Sequence, residues 1–275
     1  MIDILLSTYN GEKYLSEQID SILNQTYSDW KILIRDDGSA DKTLLIIDKY
    51  CHKYTNKIIN ISDNLGNLGV IRSNEILLEQ SLSNYFMFCD QDDVWLPNKI
   101  ANSFIKMKNI EAENFDCPII IFSDLIVVNE DLQIISKSFW KYCKISIKHL
   151  RKAKYLAVNN YVAGCTMLFN KNAKLLTLPF GKNATMHDAW IVLKVSASGG
   201  IITSLPQAEI LYRQHGKNQL GAGEIKYNFK YFMEKITNLN FFLKNNYSNY
   251  KQAHEILNTS LFTFFIRRII YVLKR

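Results

Sequence analysis

The chain has 275 residues, of which 48% are hydrophobic and 21% are charged. This balance is ordinary for a globular protein with a substantial core, and it excludes an intrinsically disordered chain. The five cysteines are scattered and never form a CxxC pair, which argues against a disulfide framework or a structural zinc site and fits a reducing compartment.

The net charge of +7 is unevenly distributed along the chain. Residues 221–275 contain nine Lys and Arg against three Asp and Glu, whereas the first 220 residues are close to neutral. No zinc-finger or RNA-recognition pattern accompanies the basic residues, so we do not expect nucleic-acid binding. The change in composition predicts a main domain over residues 1–220 and a basic, aromatic, helical tail over residues 221–275.

Strand and helix patterns alternate over the first 90 residues. Short apolar runs predict strands at residues 2–6, 32–34, 58–61 and 85–89. Apolar residues at helical spacing predict helices between them, at residues 15–23, 41–51 and 70–80. Strands and helices that alternate in this way predict an α/β fold with a mostly parallel sheet and helices on both faces.

Polar segments directly follow three of the four predicted strands. Ser7-Thr8 follows the first strand, Asp36-Asp37 follows the second, and the sequence DQDD at residues 90–93 follows the fourth. Because ligands collect at the carboxyl ends of parallel strands, we expect these segments to converge on one edge of the sheet.

The second half of the chain has weaker patterns. Strands are predicted at residues 119–122 and 125–128, with Ser123 and Asp124 as a break between them, and again at residues 166–169. A helix is predicted to begin at His187 and to end near Gly199.

The DQDD sequence places three carboxylates in four positions. An Asp before a helix often serves only as a cap, and Pro97 and Lys99 do predict a helix here. A cap needs one carboxylate, however, whereas Asp90 and Asp92 flank Gln91 and can face one point. Two oxygen ligands with open positions suit Mg²⁺ or Mn²⁺ bound through a substrate diphosphate.

Five short motifs, in order, carry a family resemblance. The sequences STYNG at 7–11, DDGSAD at 36–41 and DQDD at 90–93 resemble three successive motifs of glycosyltransferase family 2. The sequences HD at 187–188 and YRQHG at 212–216 resemble later motifs of its bacterial rhamnosyltransferase-like branch. The resemblance covers roughly residues 1–220 and implies a GT-A nucleotide-sugar-binding fold.

The resemblance also implies an activity. It is the inverting transfer of a sugar from a nucleotide-diphosphate donor to a hydroxyl of a lipid-linked glycan, in surface polysaccharide synthesis. The favoured donor is dTDP-rhamnose, and UDP-hexoses are the alternative.

The resemblance assigns several residues to the donor nucleotide. Asp37 would accept the N–H of a uracil or thymine base, since a carboxylate is a hydrogen-bond acceptor. Asp90 would hold the ribose or a metal-bound water. The residues assigned to the nucleotide are Ser7, Tyr9, Asp37, Arg72 and Asp90.

The remaining assignments concern the metal and the acceptor. Asp92 and His215 would bind the Mg²⁺ or Mn²⁺ ion. The acceptor hydroxyl must lose its proton as it attacks, so the reaction needs a general base, and Asp188 matches the position of that base in the family. The alternative is a carboxylate that only stabilises a helix N-terminus. His187 and Arg213 would contact the acceptor or the diphosphate.

Trp95 is a further candidate for the acceptor site, because its ring could stack on a sugar. Packing in the core is the more common fate of Trp.

Residues 261–275 predict an amphipathic helix in the tail. Arg267, Arg268, Lys274 and Arg275 share one arc with Phe264 and Tyr271, and large apolar residues occupy the other arc. This pattern is typical of a helix that lies on an anionic membrane surface, and docking on the core or on a second subunit is the alternative. The N-terminus lacks a signal-peptide pattern, so we expect a cytoplasmic protein that is peripheral on the inner face of the cell membrane.

Two other functional classes stay open at this point. Nucleotidyl transfer also uses acidic pairs with Mg²⁺. A non-catalytic partner could keep the same fold and anchor a complex at the membrane.

Overall fold

Nine strands of the described residues form one sheet in the computed structural model of the chain, which describes residues 1–63, 65–145, 147, 152–216 and 239–274. Across the sheet the strands run in the order β3-β2-β1-β4-β8-β6-β9-β5, and β7 pairs with β6. In chain order they are β1 Ile2–Thr8, β2 Trp30–Asp36, β3 Ile58–Asn60, β4 Tyr85–Cys89, β5 Val94–Trp95, β6 Ile119–Val128, β7 Ile134–Ser136, β8 Leu168–Asn170 and β9 Ile201–Arg213.

The first four strands of the chain pair as the sequence predicts. Strands β3, β2, β1 and β4 are parallel neighbours. Strand β8 then runs antiparallel to both β4 and β6, and β9 returns parallel to β6. The parallel half therefore meets a mixed half at the β4–β8 pair.

Helices cover both faces of the sheet. Alternating side chains of one strand enter two separate hydrophobic clusters, so that Leu5 packs with one and Ile4 with the other. Helix residues Trp190 and Ile19 belong to the first and the second cluster respectively. The helices are α1 Leu15–Leu23, α2 Thr43–Lys53, α3 Gly69–Gln80, α4 Lys99–Glu111, α5 Phe139–Tyr142, α6 Ala153–Leu156, α7 Lys171–Thr177, α8 His187–Ala197, α9 Leu239–Leu257 and α10 Leu261–Lys274.

The predicted break at Ser123 and Asp124 is wrong, because β6 is one continuous strand through both residues. Its register against β9 shifts on either side of Asp124, as at a β-bulge. The buried Asp124 carboxylate accepts hydrogen bonds from the backbone N–H of Leu125 and Trp140 and from the Ser138 hydroxyl. These partners satisfy the buried carboxylate, so the strand continues through it.

The final helix, α10, packs against the rest of the protein through the arc that carries the arginines. Phe264 and Tyr271 are buried, and an Arg268 N–H donates to the carbonyl of Val158. The opposite arc faces outward, with Phe262 75% exposed and other large apolar side chains, Ile266, Ile269 and Ile270, also exposed. This arc therefore docks on the core, which is the alternative that the sequence left open, and Phe264 and Tyr271 are its buried anchors.

Part of the predicted tail lies outside the described residues. This applies to residues 217–238, where the proposed boundary near 220 falls, and to Arg275. Among the described helices, none combines the length and the apolar character needed to span a bilayer.

Candidate active site

A cavity of about 900 Å³ lies at the carboxyl ends of β1, β2 and β4. Its wall includes Asp37 after β2, Asp92 after β4 and Asp188 at the start of α8. Asp37 and Asp92 share this cleft, as the strand-end argument predicts, and Asp188 joins them from a helix of the second half of the chain. Ser7, Tyr9, Asp90 and His187 also line this cavity.

Asp37 is held rigidly at one end of the cavity. Its Oδ1 accepts from the backbone N–H of Leu68 at 2.8 Å and from Nη1 of Arg35 at 2.6 Å. Its Oδ2 accepts from the backbone N–H of Gly69 at 2.8 Å. The carboxylate is only 4% exposed, so its orientation is set by these contacts before any ligand arrives.

Gln91 joins the DQDD turn to the segment that follows β1. Its side-chain amide accepts from the Tyr9 N–H at 2.9 Å and donates to the Tyr9 carbonyl at 3.0 Å. A Cβ at Gly11 would lie 2.4 Å from Oε1 of Gln91, so the glycine is required for this approach. The Tyr9 side chain remains 50% exposed and is available to a ligand in the cavity. Sequence analysis did not single out Gln91, although its position inside the acidic motif was a signal.

The acidic turn concentrates negative charge on the cavity wall. Desolvation, followed by the charges of Asp92 and Asp188, raises the pKa of Asp90 to about 7. Asp93 is fully buried, accepts from the Arg213 backbone N–H at 3.1 Å, and has its pKa raised by burial. Asp93 therefore supports the turn, while Asp90 and Asp92 face the cavity.

Asp92 and His215 form a suitable pair for a divalent cation. Nε2 of His215 lies 2.8 Å from Oδ2 of Asp92, and the His215 ring packs against the Tyr14 ring, tilted by 32° with 4.9 Å between centroids. Carboxylate oxygen and imidazole nitrogen are ligands that Mn²⁺ accepts, and the nearby Asp90 adds negative charge.

A second cluster also has the spacing of a metal site, because Asp90, Asp93 and Cys165 place ligand atoms within 4.8 Å of one another. We favour the Asp92–His215 pair for two reasons. Asp93 is enclosed and bound to the Arg213 N–H, and burial raises the pKa of the Cys165 thiol, which keeps it protonated. A protonated thiol is a poor ligand for Mg²⁺ or Mn²⁺.

Asp188 lies at the N-terminus of α8, and backbone N–H donors fix its carboxylate. Its Oδ2 accepts from the Gly164 N–H at 3.0 Å, and its Oδ1 accepts from the Ala189 N–H. Burial nevertheless raises the pKa of this carboxyl, which makes it a better proton acceptor than an ordinary aspartate.

His187 is buried beside Asp188. Its ring packs against Phe88 at 4.6 Å, and its Nδ1 lies 3.4 Å from the Asn74 amide nitrogen. Burial lowers the pKa of His187, so the ring is neutral near pH 7. Gly164 was missed by sequence analysis, yet a Cβ there would lie 2.6 Å from Nε2 of His187.

Besides His215, which contacts Asp92 without lining the cavity, three predicted site residues do not line it. The Arg72 guanidinium pairs with Glu75 at 2.7 Å and Glu79 at 3.3 Å on its own helix, which satisfies its charge away from the cleft. Trp95 is 2% exposed and packs under the Lys99 ammonium, 3.7 Å from the ring centroid, so core packing is confirmed for this residue.

Arg213 is the third of these residues. Its Nε donates to the Asp92 carbonyl at 2.9 Å, and its other nitrogens bind the Glu130 carbonyl and the Glu17 carboxylate. The side chain is 3% exposed and lies behind the acidic turn. Arg213 therefore holds Asp92 and Asp93 in place. The expectation that it contacts the acceptor or the diphosphate is wrong for this structure.

The model of the family described as "Glycosyl transferase family 2" matches residues 3–175. The chain belongs to this family. It is 30% identical, over 244 residues, to the dTDP-rhamnosyl transferase RfbG of Shigella flexneri, a match that covers 82% of this chain and 76% of that protein.

Two solved structures show the same fold as this family 2 glycosyltransferase. TarS 1–349 of S. aureus in complex with UDP-GlcNAc has a TM-score of 0.57 at 16% identity and covers 86% of this chain and 64% of that chain. A mannosyltransferase from Pyrobaculum calidifontis in complex with GDP-Man and Mn²⁺ has a TM-score of 0.59 at 15% identity, with 79% and 58% covered. The predicted GT-A fold is confirmed, and the matches span less than two thirds of either solved chain.

Proposed function

We propose that the protein transfers a sugar from a nucleotide-diphosphate donor to an acceptor hydroxyl, with inversion at the anomeric carbon and Asp188 as general base. The observation that carries this proposal is the meeting of Asp37, Asp92 and Asp188 in one cavity at the strand ends. A donor with its base at Asp37 and its diphosphate near Asp92 would present its sugar toward Asp188. The cavity therefore has residues both for binding the nucleotide and for the transfer reaction.

The donor side fits a pyrimidine nucleotide. Ser7, Tyr9 and Asp37 would hold the base, and Asp90 the ribose. Uracil and thymine share the imide N–H that a carboxylate accepts. The match to a dTDP-rhamnosyl transferase favours dTDP-rhamnose as donor, with UDP-hexoses as the second candidate.

Asp92 and His215 would hold Mg²⁺ or Mn²⁺. When bound, such an ion neutralises charge on the departing diphosphate.

The proton transfer rests on this chain's own residues. The acceptor oxygen attacks the anomeric carbon, the bond from that carbon to the diphosphate oxygen breaks, and its electron pair leaves with the diphosphate. The acceptor proton passes to Asp188, whose raised pKa suits this role. Neutral His187 lies alongside and would orient the acceptor.

Asp188→Asn tests the assignment. It removes the proton acceptor and keeps the size and one of the two backbone contacts, so we expect transfer to fall by about 10²- to 10⁴-fold while donor affinity stays near that of the wild type. Asp48→Asn, an exposed position on α2, is the matched control. Near-normal turnover by Asp188→Asn would refute the role of Asp188.

The same assay separates the alternative functions. Glycosyl transfer releases a nucleoside diphosphate, whereas nucleotidyl transfer releases pyrophosphate. A non-catalytic partner that has lost its site would show no Mn²⁺-dependent binding of nucleoside diphosphates.

The proposed acceptor is a lipid-linked glycan, reached from the inner face of the cell membrane. The exposed apolar arc of α10, which contains Phe262, Ile266, Ile269 and Ile270, would rest on an anionic lipid surface. The amide of Asn159, a residue of the cavity wall, donates to the Tyr271 hydroxyl at 3.1 Å, so α10 adjoins the cavity. This arrangement would bring a membrane-anchored acceptor close to Asp188.

Vesicle flotation tests the membrane contact. The double variant Ile266→Ser/Ile269→Ser should bind phosphatidylglycerol vesicles less than the wild type, whereas Ile105→Ser, at a 60% exposed position on α4, should bind normally. Equal binding by all three proteins would contradict the proposal. If the same arc instead forms a homo-oligomer, the wild type should have the molar mass of an oligomer in solution, and the double variant should have a lower molar mass.

A further inference from the structure

Arg35 is a fully buried arginine at the end of β2. All of the N–H groups of a guanidinium find acceptors here. Nε and Nη2 donate to the Asp63 carboxylate at 2.7 and 3.2 Å, and Nη2 also donates to the Gly66 carbonyl at 3.0 Å. Nη1 donates to Oδ1 of Asp37 at 2.6 Å and to the Ser73 hydroxyl at 2.8 Å. The side chain therefore joins the end of β2 to α3 and to the loop before it.

That loop, residues 65–69, has little apolar packing of its own. Leu65 is 57% exposed and Leu68 is 39% exposed, and Gly66 and Gly69 adopt positive φ angles of 68° and 80°. Polar contacts with Arg35 and Asp37 fix its position instead. The loop also contributes to the cavity wall through Asn67 and Gly69.

As a result, the two carboxylate oxygens of Asp37 accept different numbers of hydrogen bonds. A carboxylate oxygen has two lone pairs. Oδ1 uses both, for Arg35 and for the Leu68 N–H, whereas Oδ2 accepts only the Gly69 N–H from the described residues. One lone pair of Oδ2 is therefore left for a ligand.

We propose that Arg35 is a positioning residue for base selection: by occupying Oδ1 and anchoring the loop, it aims Oδ2 of Asp37 at an N–H of the donor base. This inference rests on the proposed function, which puts the base at Asp37. The bases that suit it are uracil and thymine, which carry an imide N–H. Cytosine has an acceptor nitrogen at that position and would meet Oδ2 unfavourably.

The test is a comparison of UDP and CDP binding, each titrated with Mn²⁺, because the two nucleotides differ at the base edge and share the diphosphate. In Arg35→Met the carboxylate loses its anchor, and we expect UDP affinity to fall about 10- to 100-fold, the usual range for a hydrogen bond to a charged group. CDP and Mn²⁺-pyrophosphate should bind as before, so the UDP/CDP ratio falls. Arg35→Lys, which keeps a cation and one donor, should recover part of the ratio.

Lys31→Met is the matched control, since Lys31 lies on the same strand as Arg35 but near its amino end, away from the cavity. It should leave all three affinities unchanged. Should Arg35→Met fail to fold, Asp63→Asn weakens the far anchor of Arg35 without altering the cavity wall, and it should lower the same ratio by a smaller factor.

An unchanged UDP/CDP ratio in Arg35→Met, or in Asp63→Asn if only that variant folds, would overturn the inference. An equal loss for UDP, CDP and pyrophosphate would also overturn it, because that result indicates a general structural role. Failure of the proposed function is recognised separately: wild-type protein would bind no nucleoside diphosphate in the presence of Mn²⁺.

Discussion

Mn²⁺ binding to the free protein should weaken about tenfold between about pH 8 and about pH 6, because Asp90 takes up a proton in that interval. Desolvation and the neighbouring carboxylates raise the pKa of Asp90 to about 7. A group with this pKa is roughly 90% ionised one pH unit above it and roughly 10% ionised one unit below it. The cation and the proton compete for the same negative charge, so affinity rises with pH.

The assay is a titration with Mn²⁺, followed by the loss of the free-ion electron paramagnetic resonance signal. Asp90→Asn removes the titrating carboxyl, so this variant should bind more weakly at pH 8 and should lose the part of the pH dependence that belongs to Asp90. The difference between the two proteins isolates the contribution of Asp90 to the pH dependence. Identical pH profiles for wild type and Asp90→Asn would refute the reasoning.

Two other substitutions have expected outcomes. Burial lowers the pKa of Lys99 from 10.5 to about 8, and its Nζ has no hydrogen-bond partner among the described residues. The charged form is therefore disfavoured in the folded state, at a cost of about 3 kcal/mol near pH 7, which the contact with Trp95 partly offsets. Lys99→Met should raise stability against urea by about 1–2 kcal/mol at pH 7, and its advantage should shrink as the pH rises from about 8 toward about 10.5; a less stable variant would show that the ammonium has a favourable partner. Gly164→Ala would place a Cβ 2.6 Å from Nε2 of His187, so we expect initial rates of transfer to fall at least about tenfold with unchanged UDP binding, and a normal rate would mean that His187 can move without consequence.

The parallel half of the fold was predictable because its signals are local. Each strand there is a short apolar run followed by a helix, and the strand-end rule then brings Asp37 and Asp92 together. The mixed half depends on pairing between distant segments. Asp124, for instance, is tolerated inside β6 because Ser138 and Trp140 return to bind it, and no local pattern announces that contact.

Side-chain length explains why the two predicted arginines do not line the cavity whereas the predicted aspartates do. Aspartates on short loops can reach only what lies directly beside them, so their position in the sequence fixes their position in the cavity. Arg72 and Arg213 have long side chains that found carboxylate or carbonyl partners elsewhere. Arg35 was missed because an arginine within an apolar strand gives no indication of how many acceptors will surround it.

The docking of α10 has a practical consequence for anyone who shortens this chain. Phe264 and Tyr271 belong to the same hydrophobic cluster as the interior of the α/β core, and α10 packs on α6 and α9. Truncation before Ser260 would uncover that apolar surface, and the product should aggregate. A deletion would thus confuse misfolding with loss of lipid binding, whereas point substitutions on the outward arc would keep the two apart.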